Sequence, residues 1–497
     1  MTEDRKLSSR AAAALGWSVV RYGGDQVFGF IVFAALAHRL APAAFGVFIV
    51  GLAVAEVGKI LAQGGLVSSL YRVREVTPRL ADTVFWANLA LALLVALACL
   101  VLRRPLAAMM GSAEAAPVIA ALGFVVPVTA AGATHMSRNL REFGHRALAV
   151  RSLGAGVVGG GLALVAAQAG WGVWALVVQR FASEAIGTLV AWHAFRWRPG
   201  FDVSWSTLRA QWRLGASVAA SQMLLVTLSR AQDVILARMT GIGAVGVFRT
   251  AAKANDVVTQ GVISSYFSVA VPTLSKLRHD MPALRRGYLR MVSSSAMLLF
   301  PAIAGIGVLA DLLIPLAFGP QWGESIPVAR LLCLLAPPFA LNMFADPLLT
   351  VLGRAGLIMR LTAIQLGLTV VICAAAAPYG LYWFTLACVA RSYVALGLQL
   401  RFLQSATGIR AGAVLGAVAA PLAASAVMAA GVWATSAALA PLQGAPAGAS
   451  AAFAAIARAG LLAGEGAAIY AAALFVLLGS RRRGDLALFA RGILART

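Results

Sequence analysis

Charge is what this chain has least of. Only 12% of its 497 residues are Asp, Glu, Lys or Arg, and just 18 are acidic. Soluble domains carry about twice that share, so a water-exposed globular enzyme is excluded at the outset. Cysteine is equally sparse. Cys99, Cys333, Cys373 and Cys388 all fall in apolar stretches, with no CxxC pair and no histidine at companion spacing. That argues against a zinc or redox centre and leaves them as small buried hydrophobes. Glycine is plentiful, but the run Gly159–Gly161 is followed by no Lys-Ser/Thr pair and so makes no phosphate loop. No loop is long enough to hold a soluble domain, which weighs against membrane-embedded polymerases and ligases. With no nucleophile, ATP site, metal site or cofactor in view, the chain is not expected to be an enzyme.

What is present is apolar length. The chain is 61% hydrophobic with a mean hydropathy of +0.85, and stretches of roughly twenty apolar residues, enough to cross a bilayer, recur almost end to end. The spans read as 15–38, 45–70, 80–102, 117–137, 147–168, 170–195, 212–237, 243–270, 289–310, 326–352, 356–377, 380–400, 412–436 and 456–479. The expected fold is all-α: a polytopic membrane protein of about fourteen transmembrane helices.

The net charge of +23 would point to nucleic acid in a soluble protein. Here its placement gives another cause. Most of the 41 Lys and Arg fall at the termini and on alternate loops: Arg5, Lys6 and Arg10; Arg72, Arg74 and Arg79; Arg138, Arg141, Arg146 and Arg151; then Arg196 to Arg213, Lys276 to Arg290, and Arg481 to Arg483 in the tail. The opposite side holds only Arg39, Arg103, Arg104, Arg238 and Arg458. Basic loops stay on the cytoplasmic side, so both termini are expected there. The partner implied by the charge is the lipid bilayer, and no nucleic acid.

The chain also repeats itself. Leu36–Phe48 (LAHRLAPAAFGVF) returns two hundred residues later, without a gap, as Leu236–Phe248 (LARMTGIGAVGVF), with Gly46/Gly246 and Phe48/Phe248 among the identities. Glu56 and Asp256 share a register. Two related bundles are a recurrent transporter design. The expected organisation is a six-helix lobe over 1–198, a second over 199–410, and two further helices with a basic cytoplasmic tail over 411–497.

Charges inside the spans are where function is sought, because each costs several kcal/mol unless it meets a partner or water. They gather on four helices. The first carries Arg21 and Asp25, the second Glu56 and Lys59, the seventh Arg230 and Asp233, and the eighth Arg249, Lys253 and Asp256. Spacings of three or four put opposite charges on one face. These residues are either neutral ion pairs that brace the bundle or the lining of a substrate cavity. Arg249 and Lys253, with Asp256 as the near carboxylate, favour a cavity that takes an anion. Arg180 and Glu184 on the sixth helix read as a structural pair.

The chain resembles the polysaccharide-transporter branch of the multidrug/oligosaccharidyl-lipid/polysaccharide exporter superfamily, the Wzx-like flippases. The resemblance rests on Arg39-Leu40-Ala41-Pro42-Ala43-Ala44-Phe45-Gly46, on its copy ending Val245-Gly246-Val247-Phe248, and on Phe318-Gly319-Pro320-Gln321-Trp322. It implies a MATE-like pair of six-helix lobes around a central cavity, located in the bacterial inner membrane. It implies as substrate an undecaprenyl-diphosphate-linked oligosaccharide used in O-antigen, exopolysaccharide or capsule biosynthesis. A polysaccharide polymerase and export machinery are candidate partners. The alternatives are a drug/cation antiporter of the same superfamily, which calls for surplus carboxylate, and a glycan polymerase or ligase in the membrane.

The topology yields a first prediction. A cysteine at Gly444, between the last two spans, is labelled in intact cells by a membrane-impermeant thiol reagent. Labelling only after permeabilisation overturns both the orientation and the helix count.

Overall fold

A computed structural model describes residue 24 and residues 26–63, 65–70, 73, 75–141, 145–439 and 449–478. Arg21, Asp25, the terminal cations, Gly444 and the tail from Arg481 lie outside these residues. Long helices are numbered here in chain order, leaving short connecting helices unnumbered: α1 Gln26–Ala37, α2 Pro42–Gln63, α3 Pro78–Val101, α4 Ala115–Arg138, α5 His145–Gln168, α6 Val173–Ala194 and α7 Trp205–Met239. They continue as α8 Ile242–Lys276, α9 Met281–Val308, α10 Ser325–Cys333 with Ala336–Val351, α11 Ala355–Ala376, α12 Leu381–Thr407, α13 Ala411–Ala438 and α14 Ala449–Leu477. No strand occurs among the described residues, as a bilayer requires of any spanning segment that is not a closed barrel.

Ten of these helices are long and apolar enough to cross a membrane, and α10, bent by 43° at its break, is an eleventh if its two segments form one span. The bend falls where Pro337 and Pro338 open the second segment, since proline donates no backbone hydrogen bond. Length and hydropathy thus establish ten or eleven of the fourteen expected crossings. The remainder are α1, described only from Gln26, and the 35-residue helices α7 and α8, which carry the charges.

Two compact units emerge. The first comprises the described residues up to Thr250 with Met359–Cys388; the second comprises Ala251–Ile358 with the described residues from Val389 on. In the first, α2 is the central helix, packed by α3, α4, α6 and α7, while α5 lies along α6. Lipid tails are as apolar as leucine, so helices here are held by close packing and polar bonds rather than by exclusion from water. The polar bonds are present. Asn88 is fully buried and donates to the Ala130 carbonyl at 3.2 Å, and Thr188 and Ser183 donate to Val128 and Ala155 at 2.7 and 3.0 Å. The connection from α6 to α7 is clamped rather than loose. Asp82 accepts from the Gly200 amide at 3.0 Å, Trp86 donates to the Gly200 carbonyl at 2.7 Å, and Arg138 lies over the rings of Phe195 and Trp197.

In the second unit α9 is the spine, packed by α10, α13 and α14. Tyr288, Phe300, Phe344 and Leu403 fill its core, and the buried Tyr288 hydroxyl donates to the Leu341 carbonyl at 3.2 Å. Glu465 is the one carboxylate in the sequence of α14, which also carries Arg458. The Thr435 hydroxyl on α13 donates to Glu465 at 2.6 Å, and Tyr470 ties α14 to α9 through the Met297 carbonyl at 2.9 Å. Arg330 finds Asp311 as an exposed ion pair.

The sequence repeat has a direct physical meaning in the first unit. A side chain at Gly46 would overlap the carbonyl oxygen of Ile242, and one at Gly246 would overlap that of Pro42. Pro42 and Ile242 are themselves repeat equivalents, so the starts of α2 and α8 cross reciprocally, each glycine against the other's backbone.

Gly46→Ala and Gly246→Ala should each destabilise the purified protein by about 1–3 kcal/mol, the usual cost of forcing a methyl into a packed seam. Gly161→Ala, where added atoms meet nothing within 4 Å, should leave the unfolding midpoint unchanged. Thermal unfolding in detergent separates them; equal midpoints for all three refute the crossing.

Candidate functional site

Four of the charges singled out in the sequence meet in one place. Arg230 on α7 reaches across to Glu56 on α2, with its Nε and Nη2 donating to Glu56 Oε2 at 2.7 and 2.6 Å. Its Nη1 lies 3.4 Å from Asp233 one turn on. Asp233, whose side chain is fully buried, receives Arg249 of α8 as a two-pronged fork. Arg249 Nε donates to Oδ1 at 2.6 Å and Nη2 to Oδ2 at 2.5 Å, while Nη2 also reaches the Ser229 carbonyl at 3.1 Å. Parallel bidentate bonds of this kind are the strongest ion pairs proteins make. The expected pairing along one helix is the minor contact; the strong bonds run between helices, tying α2 to α7 and α7 to α8. They also change the account of Arg249: Asp233 now stands with Asp256 among its candidate partners.

Lys59, one turn beyond Glu56, belongs to a second cluster. The charges acting on it are those of Glu184, Arg180, Arg151 and Glu56. Glu184 on α6 is buried, with Arg180 at 2.8 Å on its own helix and Arg151 of α5 at 3.7 Å. The Arg180–Glu184 pair is the one expected. Arg151, counted among the loop cations, instead points into the bundle. The signal that could have found it is Gly187, on whose helix face its guanidinium rests. Lys253 and Asp256 lie on the part of α8 that belongs to the second unit, Lys253 half-buried and Asp256 exposed. Arg21 and Asp25 cannot be placed with them, being outside the described residues. Among the described residues no three His, Cys, Asp or Glu side chains converge as metal ligands would.

What the first cluster can do chemically follows from its balance. Two guanidiniums meet two carboxylates, which lets the group sit at depth without net charge. Such a group moves no electrons and cuts no bonds. It can hold helices together, or exchange an internal carboxylate for an incoming anion.

Comparison with known proteins gives consistent relatives. The family described as polysaccharide biosynthesis protein matches residues 35–327. The succinoglycan biosynthesis transport protein ExoT of Rhizobium meliloti is 28% identical over 64% of this chain and 65% of its own length. The lipopolysaccharide biosynthesis protein WzxC of Escherichia coli is 23% identical over 66% and 67%. The teichuronic acid biosynthesis protein TuaB of Bacillus subtilis is 20% identical over 60% and 62%. The chain thus spans about two thirds of the length of these relatives. Among solved structures, the lipid II flippase MurJ in an inward closed conformation superposes with a TM-score of 0.69 over 91% of this chain and 98% of that one, at 10% identity. An inward-facing multidrug resistance MATE family transporter of the MOP superfamily gives 0.58 over 79% and 98%, at 18% identity. These structures share the fold.

The cluster predicts a strong imbalance on mutation. Asp233→Asn should destabilise the protein by about 3–5 kcal/mol, because it takes the buried counter-charge away from two half-buried guanidiniums. Adding Arg249→Gln should restore part of that loss, a coupling that a double-mutant cycle on thermal unfolding reads directly. Strictly additive effects would show that the two side chains do not depend on one another.

Proposed function

Since the chain belongs to the polysaccharide biosynthesis protein family, we propose that it translocates an undecaprenyl-diphosphate-linked oligosaccharide across the bacterial cytoplasmic membrane. It would be a transporter and not an enzyme. The observation that carries the reading is a ladder of ion pairs, Glu56–Arg230–Asp233–Arg249, joining α2, α7 and α8, in a chain whose relatives include a succinoglycan transport protein. A charge on a spanning helix such as α2 is expensive unless it meets a partner or water, and such charges mark substrate pathways.

The mechanism proposed is alternating access by two six-helix lobes, 1–198 and 199–410, with the last two helices as a side element. Arg and Lys recognise a diphosphate by charge and hydrogen bonds with no covalent step. Arg21, Arg249 and Lys253 are assigned to the diphosphate, with Asp25, Glu56, Lys59, Arg230, Asp233 and Asp256 as the counter-charges and neighbours that position them. In this scheme the Asp233 carboxylate occupies the Arg249 fork when no phosphate does, and the substrate must displace it. A ligand shifts a conformational balance only through such a difference in affinity. Both termini are placed in the cytoplasm, and polymerase and export machinery would take the product on the far side. A cation exporter fits less well, since the ladder offers no surplus carboxylate.

The test is glycan assembly in cells lacking the native copy. Lys253→Ala should lower surface polysaccharide at least tenfold at normal protein level. Arg249→Lys should keep partial function if attraction is enough, since lysine supplies charge without the fork. Full assembly by the Arg249→Ala, Lys253→Ala double variant, at normal protein level, would remove these cations from the mechanism. Purified protein that moves no lipid-linked glycan in proteoliposomes would remove the transport reading itself.

A further inference from the structure

Helices α3 and α7 both pack against α2 but touch each other only lightly, and a groove runs between them on the flank of the first unit. Its α3 wall is Ala87, Ala90, Leu91 and Leu94, spaced by three and four residues and so on one face of the helix. Its α7 wall is Trp205, Leu208, Arg209 and Trp212, at the same spacing. The floor is anchored, because Ala87, Leu91 and Leu208 pack against the buried cluster of Leu66, Leu70, Leu80 and Val84. The small side chains of Ala87 and Ala90 leave the space open, while Leu94, Trp205 and Trp212 stand exposed as its rim. The groove holds about 570 Å³, within the roughly 300–1,000 Å³ of sites for bound small molecules.

Three observations bear on what fills it. The first is the lining. It is apolar apart from Arg209, and α3 is long and apolar enough to cross a membrane, so the occupant is drawn from the bilayer. The second is the pair of tryptophans at the start of α7, where amphipathic rings of a membrane interface belong. The indole N–H groups of Trp86 and Trp192 donate to the Gly200 and Ala131 carbonyls at 2.7 and 2.9 Å, whereas those of Trp205 and Trp212 donate to nothing among the described residues. The third is charge. Arg209 is exposed between the two tryptophans and has no carboxylate in ion-pair reach among the described residues. The carboxylates nearest this connection are engaged elsewhere: Asp202 pairs with Arg79 at 3.4 Å, and Asp82 accepts from the Gly200 amide. An apolar slot flanked by two N–H donors and one uncompensated cation matches, in turn, the chain, ester oxygens and phosphate of a phospholipid.

We propose that the α3–α7 groove binds one anionic diacyl phospholipid, with an acyl chain along Ala87–Leu94, its phosphodiester on Arg209 and its ester oxygens on the Trp205 and Trp212 indoles. Basic side chains at helix clefts recognise anionic headgroups in this way. Charge complementarity selects the occupant: Arg209 supplies one positive charge and a phosphodiester one negative charge, whereas a diphosphate carries more than one. The site is separate from the Glu56–Arg230–Asp233–Arg249 ladder and does not depend on the transport reading. A lipid held there bridges two helices that the chain itself joins weakly, and α7 carries Arg230 and Asp233 further along.

The experiment is native mass spectrometry of the purified full chain, titrated in detergent with phosphatidylglycerol or with zwitterionic phosphatidylethanolamine, reading the affinity of the first lipid retained. Wild-type protein should hold phosphatidylglycerol about fivefold more tightly, the worth of one basic side chain near an anionic headgroup. Arg209→Gln should erase that preference, and Arg209→Lys should restore most of it. Ala90→Phe, which fills the groove without touching a charge, should weaken phosphatidylglycerol binding at least about fivefold. Leu93→Phe, at an exposed position of α3 outside the groove, should bind as wild type does. Thermal unfolding identifies any variant that fails to fold, and Arg209 and Ala90 sit on different helices, so one misfolded variant leaves the other to decide. An unchanged lipid preference in folded Arg209→Gln, or wild-type affinity in folded Ala90→Phe, overturns the site. Displacement of the first phosphatidylglycerol by an equal concentration of polyprenyl diphosphate would give the groove to a diphosphate lipid and overturn the phospholipid assignment; retention of phosphatidylglycerol under that challenge supports it.

Discussion

A single fully buried carboxylate organises the first unit. Asp233 lies where ionisation is expensive, and it is tolerated because Arg249 closes on it with a two-pronged fork and Arg230 stands beside it. Removing an ion from water costs several kcal/mol even after relaxation, so each of these groups makes sense only with the others present. The consequence is geometric. Two helices that meet through apolar side chains can slide by small steps, whereas bidentate bonds fix both distance and angle. The relation of α2, α7 and the start of α8 is therefore set by charge, and the apolar contacts fill in around it.

Much of this was legible in the sequence, and the reasons differ from element to element. Membrane class, all-helical fold and the charged helices followed from composition, because hydropathy and the price of a buried charge are properties of residues taken singly. The repeat was legible because glycine at 46 and 246 is demanded by backbone contact, which no other residue satisfies. Partner choice was not legible. Spacing shows which side chains share a face on one helix, so it suggested Arg230–Asp233 and Glu56–Lys59; it is silent on Arg230–Glu56, 174 residues apart. Arg151 was misplaced for a related reason. Near the end of a span, a long cationic side chain can point to water or inward, and only the bare surface at Gly187 distinguishes the two.

The two clusters also divide the work of burial differently. The Asp233 group sets two guanidiniums against two carboxylates, whereas the Glu184 group keeps a buried donor, the Arg180 Nε–H, with no acceptor among the described residues. Polar networks in a low-dielectric setting are stable when fully satisfied and strained when they are not. A satisfied network favours one arrangement of helices, and an unsatisfied one favours whatever completes it.

The reciprocal contact at Gly46 and Gly246 constrains how such a protein can change over generations. Where two side chains meet, enlargement of one can be offset by reduction of the other, so paired substitutions drift together. Here each glycine faces a peptide carbonyl, and a peptide carbonyl has no smaller version. The two positions are thus locked independently, with no partner able to compensate for either. Duplicated halves can diverge nearly everywhere else, as the modest likeness of these two shows, while this crossing keeps both copies alike.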